Sequence, residues 1–293
     1  MVFNNEAFIK RTLLSILKND TTHFDVVIND DCSTDNSVTV IENFLEQNKG
    51  KTKHWNFNIN ESNLGINESI KNILKIHKNE WVKWLAGDDE FELDSLSKYF
   101  NLANTNNPKT SIILSDMSLI DEGSKFIGER KSLSPFFYEN KWLKTANLYI
   151  NTINAPSVMA GRENILSALE ETNAKNAEDW PILRFFVSGN FNFKIFKSSL
   201  VKYRLHASSL SSSYNSLDGN KKNINKIVDQ VEMLLKENNH LANSFFVRFG
   251  IYNQLKILKA ESFYMQFVFK VLKIFNIQFC IFRILALLDT LRK

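Results

Sequence analysis

Apolar and polar positions along the first half of the chain alternate between two periods. After Asn4 and Asn5, either of which can cap a helix, Phe8, Ile9, Leu13, Ile16 and Leu17 fall on one broad helical face. FDVVIN (24–29) is an apolar run of strand length that breaks at DDCSTDNS, a stretch of turn and cap residues. Val38, Ile41 and Leu45 follow at helical spacing, with Phe44 beside them. HWNFNI (54–59) reads as a strand, NESNLG as a loop, and Ile66, Ile70, Ile73, Leu74 and His77 as a further helix. WVKWLA (81–86) is the next strand. Short apolar strands alternating with helices predict an α/β fold, a parallel sheet covered by helices on both faces. Ligands of such sheets sit beyond the carboxyl ends of the strands. DDCSTD and GDDE both begin where a predicted strand ends, so they are expected on one edge.

The remaining pattern is less regular. SIILSD (111–116) with the DEG turn predicts a strand and hairpin, and PSVMAG (156–161) a strand followed by a helix from Arg162. AEDWPILRFFV (177–187) predicts a helix whose first turn carries Glu178 and Asp179. FNFKIF (191–196) and LVKYRLH (200–206) read as two strands. The Ser-rich stretch 206–216 marks a boundary, giving a domain over 1–215 and a helical region over 216–293. No internal repeat is visible.

Composition narrows the function classes. With 44% hydrophobic and 23% charged residues the chain is globular. The net charge of +4 is uneven: residues 241–293 carry +6 and the rest −2. The basic character thus belongs to the tail, and no nucleic-acid partner is expected. Cys32 and Cys280 form no metal-knuckle spacing and predict no disulfide framework, and the N-terminus has no signal-peptide pattern, so a reducing, cytoplasmic setting is expected. Residues 263–288 are densely apolar, with Gln266, Lys270 and Lys273 as a narrow polar stripe and Arg283 beyond them. No charge-free run approaches the roughly 18 residues of a membrane span. A basic amphipathic helix lying on the inner face of the cell membrane fits this pattern; a helical cap or a dimer interface is the alternative.

The candidate chemistry lies in carboxylates. Vicinal Asp88 and Asp89 can offer hard oxygen ligands to Mg²⁺ or Mn²⁺, or can cap the next helix. Asp94, just ahead of LSKYF, is the better cap candidate. Asp30 and Asp31 can accept hydrogen bonds from a ligand's N–H or hydroxyl groups, or from the backbone of their own turn.

Three segments carry a resemblance, in order and spacing: VVINDDCSTDNSVTVIENF; NLGINESIKNILKIHKNEWVKWLAGDDEFELDSL; and AEDWPILRFFVSGNFNFKIFKSSLVKYRLHASSLS. Over roughly residues 1–215 the chain resembles the family 2 glycosyltransferases, inverting enzymes of the GT-A fold. The resemblance implies transfer of a sugar from a nucleoside-diphosphate sugar, a UDP-sugar being favoured, to a hydroxyl of a surface polysaccharide or lipid-linked glycan. It implies that Asp30 or Asp31 binds the donor nucleotide and that Asp88, Asp89 and His206 approach the metal and diphosphate. Asp179 matches the general base, with Glu178 beside it. Arg204 matches either a phosphate ligand or a partner for a carboxylate. Two departures stand out. The first Asp of the family's Asp-x-Asp-Asp motif is Ala86 here, and only Met1-Val2-Phe3 occupy the place of an interior strand. A sheet lacking that strand leaves buried ladder groups unpaired. A non-catalytic nucleotide-sugar binder, or a metal-dependent nucleotidyltransferase, is the alternative expectation.

Overall fold

The computed structural model describes residues 1–139, 153, 155–170 and 179–206. The Ser-rich boundary, the region 216–293 with its basic tail, Glu178 and Cys280 lie outside the described residues. The chain divides into two compact units. The first holds Met1–Ser132, Ile153–Ile182 and Lys194–Leu205; the described part of the second includes Leu133–Glu139, Leu183–Phe193 and His206.

The first unit opens with helix α1 (Ile9–Leu17), strand β1 (Val27–Asp30) and helix α2 (Ser37–Gln47). Short α3 (Lys49–Thr52) leads to β2 (Asn56–Ile59), α4 (Ile66–Ile76) and β3 (Trp81–Lys83). Then come β4 (Glu90–Phe91), α5 (Ser95–Asn104), β5 (Ser111–Ile120) and β6 (Phe126–Arg130). The second unit contributes α6 (Pro135–Glu139). β7 (Met159–Gly161) and α7 (Arg162–Glu170) follow in the first unit. Finally α8 (Asp179–Ser188) and β8 (Asn192–Arg204) each run from one unit's segment into the other's.

The α/β class matches the sequence pattern, but the sheet is not uniformly parallel. β1 and β2 pair in parallel, with Ile28 opposite Phe57. β3, β7, β5, β8 and β4 form a second sheet in that order, with β6 beside β5. The β3–β7, β5–β7, β5–β6 and β4–β8 pairs are antiparallel. Periodicity shows that a strand exists but not which neighbour it meets, and late strands return along the sheet here. The two predicted strands near the C-terminal end of the domain are one 13-residue strand, β8.

The expected gap is present. Between β1 and β3, among the described residues, only Val2 makes a ladder contact, an isolated parallel bridge to Asp30. Val2 is 3% exposed and joins Ile9, Leu13, Ile28, Ile41 and Phe44 in one core cluster, so α1 and α2 cover this side of β1. A second cluster, with Leu85, Phe91, Leu96, Tyr99, Ile113 and Met159, seats α5 against the larger sheet. In the second unit Tyr138 stacks on Phe193, and Glu139 accepts the Phe193 N–H.

Two expected helix caps are replaced by others. Asn5 and Asn4 do not cap α1 with their side chains; Phe8 precedes the helix, and the Asn5 carbonyl accepts from Phe8 and Ile9. Asp94 takes a left-handed conformation (φ 59°) and makes no side-chain cap. The acceptor at the start of α5 is Asn19, whose Oδ1 takes the Leu96 N–H at 3.2 Å. Its Nδ2 donates to the Ser15 and Glu92 carbonyls. A residue 77 positions away does what the local sequence assigned to Asp94.

Replacing Asn19 by Ala removes this buried bridge between α1 and α5. Expected loss of stability is about 1–3 kcal/mol, read as a lower denaturant midpoint with an unchanged slope.

Candidate active site

The two acid-rich loops are joined by the residues that follow Val2. The Asn4 N–H donates to Ser33 Oγ, and Asn4 Oδ1 accepts from the Thr34 N–H. The Asn5 N–H donates to Ser37 Oγ, and the Glu6 N–H to Asp35 Oδ2. Glu6 in turn accepts from the backbone and side chain of Asn36. On its other side Asn5 abuts Gly87, where a Cβ would lie 2.6 Å from Asn5 Oδ1. A side chain at this position would displace the Asn5 amide. The turn Asn4–Glu6 therefore ties the loop after β1 to the GDDE turn, and both do meet at one edge. In the sequence Asn4 and Asn5 read as helix caps, and Glu6 has no assigned part. Three polar residues directly after the short Val2 strand were the only signal.

Within the first loop, both carboxylates are engaged by the protein. Asp30 is fully buried and accepts from the backbone N–H and the hydroxyl of Ser33, at 2.7 and 2.6 Å. Asp31 accepts from Asn60 Nδ2, Ser69 Oγ and the Leu64 and Gly65 N–H groups, at 2.8–3.0 Å. Asp31 thereby fastens the Asn-Leu-Gly loop to the end of β1. Of the two roles open to this pair, the structure displays the turn-building one.

The GDDE turn is braced from behind by Arg204, whose side chain is wholly buried. Its backbone N–H donates to Asp89 Oδ1 at 2.9 Å. Its Nε donates to the Asp88 carbonyl, and Nη1 to the Asp121 and Glu122 carbonyls. Nη2 meets the Glu90 carboxylate and Ser124 Oγ. The guanidinium also lies 5.1 Å from the Phe8 ring centroid. A guanidinium has five N–H donors, and these contacts use its full fork. Arg204 is thus the partner of a carboxylate and of four backbone or hydroxyl oxygens; it positions the turn. Thr12 adds a hydroxyl bond to the Gly87 carbonyl at 2.9 Å.

This bracing leaves one oxygen unspent. Asp89 is fully buried, and its Oδ2 makes no hydrogen bond among the described residues. Burial, then the neighbouring Asp88, raise its carboxyl well above the usual range; the Arg204 N–H and the Lys83 and Arg204 charges oppose that rise. A buried carboxylate oxygen without a donor needs a proton or a cation. Asp89 therefore fits a divalent cation as a single strong ligand, with half-buried Asp88 beside it. Among the described residues no three His, Cys, Asp or Glu side chains converge. Diphosphate oxygens and water would have to complete the coordination shell, as is usual for Mg²⁺. Asp179 is the first residue of α8, as expected, and His206 is buried in the second unit.

Lys83 is a neighbour with no local sequence signature. Its amine donates to the Trp84 and Pro156 carbonyls and sits 5.3 and 5.4 Å from the Phe91 and Tyr99 ring centroids. Desolvation pulls its pKa down to about 7, against the opposing pull of Asp89.

Two outcomes follow from this geometry. Arg204→Met strands Glu90 and four carbonyl or hydroxyl acceptors and is expected to cost about 3–5 kcal/mol. Arg204→Lys, with three donors, is expected to cost less but not to restore the wild-type midpoint in a denaturant titration. For Lys83, the unfolded chain holds the extra proton between about pH 7 and the ordinary lysine value of 10.5. The stability of the folded protein should therefore rise with pH across that window. Subtracting the Lys83→Met curve from the wild-type curve should isolate that slope.

The chain matches the family model described as glycosyl transferase family 2 over residues 1–164. A Mycobacterium tuberculosis protein, MT1568, is 28% identical over 102 residues, which make up 34% of this chain and 30% of that protein. The chain thus matches under a third of that relative's length. Among solved structures, S. aureus TarS 1-349 in complex with UDP-GlcNAc superposes with a TM-score of 0.58 at 16% identity, over 86% of this chain and 70% of that one. A further S. aureus TarS structure gives 0.56 at 16% identity, over 86% of this chain but 42% of that one. The mannosyltransferase PcManGT from Pyrobaculum calidifontis, in complex with GDP-Man and Mn²⁺, gives 0.57 at 12% identity, over 99% of this chain and 82% of that one. These likenesses establish the GT-A fold. Since the family model spans more than half of the sequence, the chain belongs to glycosyl transferase family 2.

Proposed function

We propose that the protein is an inverting glycosyltransferase that takes its sugar from a nucleoside-diphosphate donor. The observation that carries this reading is Asp89 Oδ2: a buried carboxylate oxygen, unpartnered among the described residues, on a turn fixed by Arg204 at the ligand edge of the sheet. Family membership and solved neighbours bound to UDP-GlcNAc, UDP and GDP-Man support a nucleotide-sugar donor.

Each residue then has a chemical part. Asp30 and Asp31 shape the loop that meets the donor nucleotide. Asp88 and Asp89 would hold Mg²⁺ or Mn²⁺, and the bound ion would neutralise charge building on the diphosphate. A Mn²⁺-bound neighbour supports that choice of ion. Asp179, with Glu178 beside it, takes the proton from the acceptor hydroxyl. His206 would stabilise the negative charge that develops on the leaving group. Arg204 acts through the turn and not on the substrate. The acceptor we favour is a surface polysaccharide or a lipid-linked glycan. Residues 263–288 would then rest on the inner membrane face; no helix among the described residues is long and apolar enough to cross a membrane.

A second reading, a nucleotide-sugar binder without turnover, draws on the divided sheet. Calorimetric titration with UDP and GDP, with and without Mn²⁺, separates the two when combined with a transfer assay. The active reading expects metal-dependent binding that Asp89→Ala abolishes. It also expects Asp179→Asn to lose transfer by at least about 10²-fold while donor binding persists. Transfer that survives in Asp179→Asn would overturn the base assignment. Donor binding without transfer by the wild type, over a panel of glycan acceptors, would favour the second reading.

A further inference from the structure

A cavity of about 460 Å³ opens between α1, β4, β8 and the β5–β6 turn. None of Asp30, Asp31, Asp88 and Asp89 lines it. Its walls are fixed by hydrogen bonds already described. Glu90 and Ser124 form one part, and both are bound to Arg204. Ser15 and Asn19 form another. Ser15 Oγ accepts the Phe91 N–H at 2.9 Å, and Asn19 joins α1 to the start of α5. The cavity is thus built before any ligand arrives.

Its charge is one-sided. Arg11 and Lys18 lie two turns apart on the exposed side of α1, and Lys202 comes from β8. The Lys18 amine makes no hydrogen bond or ion pair among the described residues. Arg11 donates through Nη1 to the Glu122 carbonyl and has no carboxylate partner among them. Its remaining guanidinium N–H groups stay available. Lys202 lies 3.4 Å from Glu92, a carboxylate that also accepts the Ser118 hydroxyl at 2.8 Å. Glu92 therefore keeps a donor if Lys202 turns to a ligand. Glu90 is the one acid in the lining, and the Arg204 guanidinium offsets its charge. Exposed Leu14 and Leu93 stand on the rim beside these cations, with buried Phe91 also in the lining.

We propose that this cavity binds a phosphate monoester carried on an apolar stem. The head group follows from the cations. A phosphate monoester brings nearly two charges and three acceptor oxygens, enough for Arg11, Lys18 and Lys202 together. A carboxylate brings one charge and would leave most of that set without a counter-ion. The stem follows from Leu14, Phe91 and Leu93, which give an apolar chain a surface on which to leave water. A free alkyl or aryl phosphate and the headgroup of an anionic lipid share this chemistry. The site is separate from the acid loops, and the inference does not depend on the activity proposed above.

The test titrates the full chain with inorganic phosphate and with hexyl phosphate, in EDTA so that no cation draws either to Asp88 and Asp89. Calorimetry gives the affinity, and backbone amide shifts give the place. Both ligands should saturate one site and move the amides of 14–19, 90–93 and 123–124. Hexyl phosphate should bind at least about fivefold more tightly than phosphate. Lys18→Glu and Lys202→Glu should each weaken both ligands at least about fivefold. Leu93→Ser, at an exposed position, should remove the hexyl advantage and leave phosphate binding in place. Affinities unchanged in both charge reversals would overturn the site. So would affinity that falls in Asp89→Ala but not in Lys18→Glu, since the ligand would then sit at the acid loops. Equal affinity for the two ligands would overturn the apolar half. Sedimentation with phosphatidylcholine vesicles containing phosphatidic acid separates the two sources. Binding lost in the Lys18→Glu, Lys202→Glu double variant identifies a lipid headgroup. Vesicle binding that the double variant retains, while hexyl phosphate binding is lost, identifies a soluble phosphate.

Discussion

The buried guanidinium of Arg204 is the constraint on which the active-site edge rests. A charge taken out of water is tolerated only where its donors and its countercharge are supplied in full. Here the GDDE turn supplies Glu90 and the Asp88 carbonyl, and the β5–β6 hairpin supplies two more carbonyls and Ser124. Neither loop can shift without stranding part of the fork. A fixed turn is what a cation site requires, since a ligand oxygen that wanders by an ångström is no longer a ligand. Stability and site geometry are thus held by one group, placed at the end of the longest strand among the described residues.

The N-terminal residues perform a comparable task from the other side. Met1 and Val2 bridge β1 to the Leu85 carbonyl beyond β3, and Asn4–Glu6 carry that link out to both acid loops. The same six residues and helix α1, through Thr12 and Ser15, connect the two-stranded sheet to the six-stranded one. The packing explains why so short a segment holds: Val2 is buried among α1, β1 and α2 residues, and most of the hydrogen bonds between Asn4–Glu6 and the loop use a backbone N–H on one side and a side-chain oxygen on the other.

Much of this was legible in the sequence. β1, α2, β2, α4, β5 and the helix at Asp179 fall where periodicity places them, and the two acid loops meet at one edge because both end strands. Strand direction was not legible, because pairing is decided by partners far along the chain. Nor were the partners of polar groups. Asn19 capping α5 and Lys83 under two aromatic rings are tertiary contacts with no local signature. Arg204 lies between these cases. The pattern limited it to two roles, and only the count of acceptors around its fork selects one.

The same accounting separates carboxylates that read alike. Asp30 and Asp31 stand vicinal at a strand end, as do Asp88 and Asp89. Yet Asp31 accepts four hydrogen bonds and Asp30 two, all from the protein. Asp116 is buried too, but its Oδ1 takes the Ser132 N–H and its Oδ2 lies 3.7 Å from the Lys131 amine. Asp89 differs from all three: one oxygen is fixed by a backbone N–H, and the other is buried with neither a hydrogen-bond donor nor a salt-bridge partner among the described residues. Orientation is thereby set while binding capacity is kept. A carboxylate saturated by its own chain has no lone pairs to offer a ligand, and an unfixed one would have to be ordered on binding at an entropic cost. Between these limits lies the arrangement suited to a cation that must arrive with its diphosphate and leave with it.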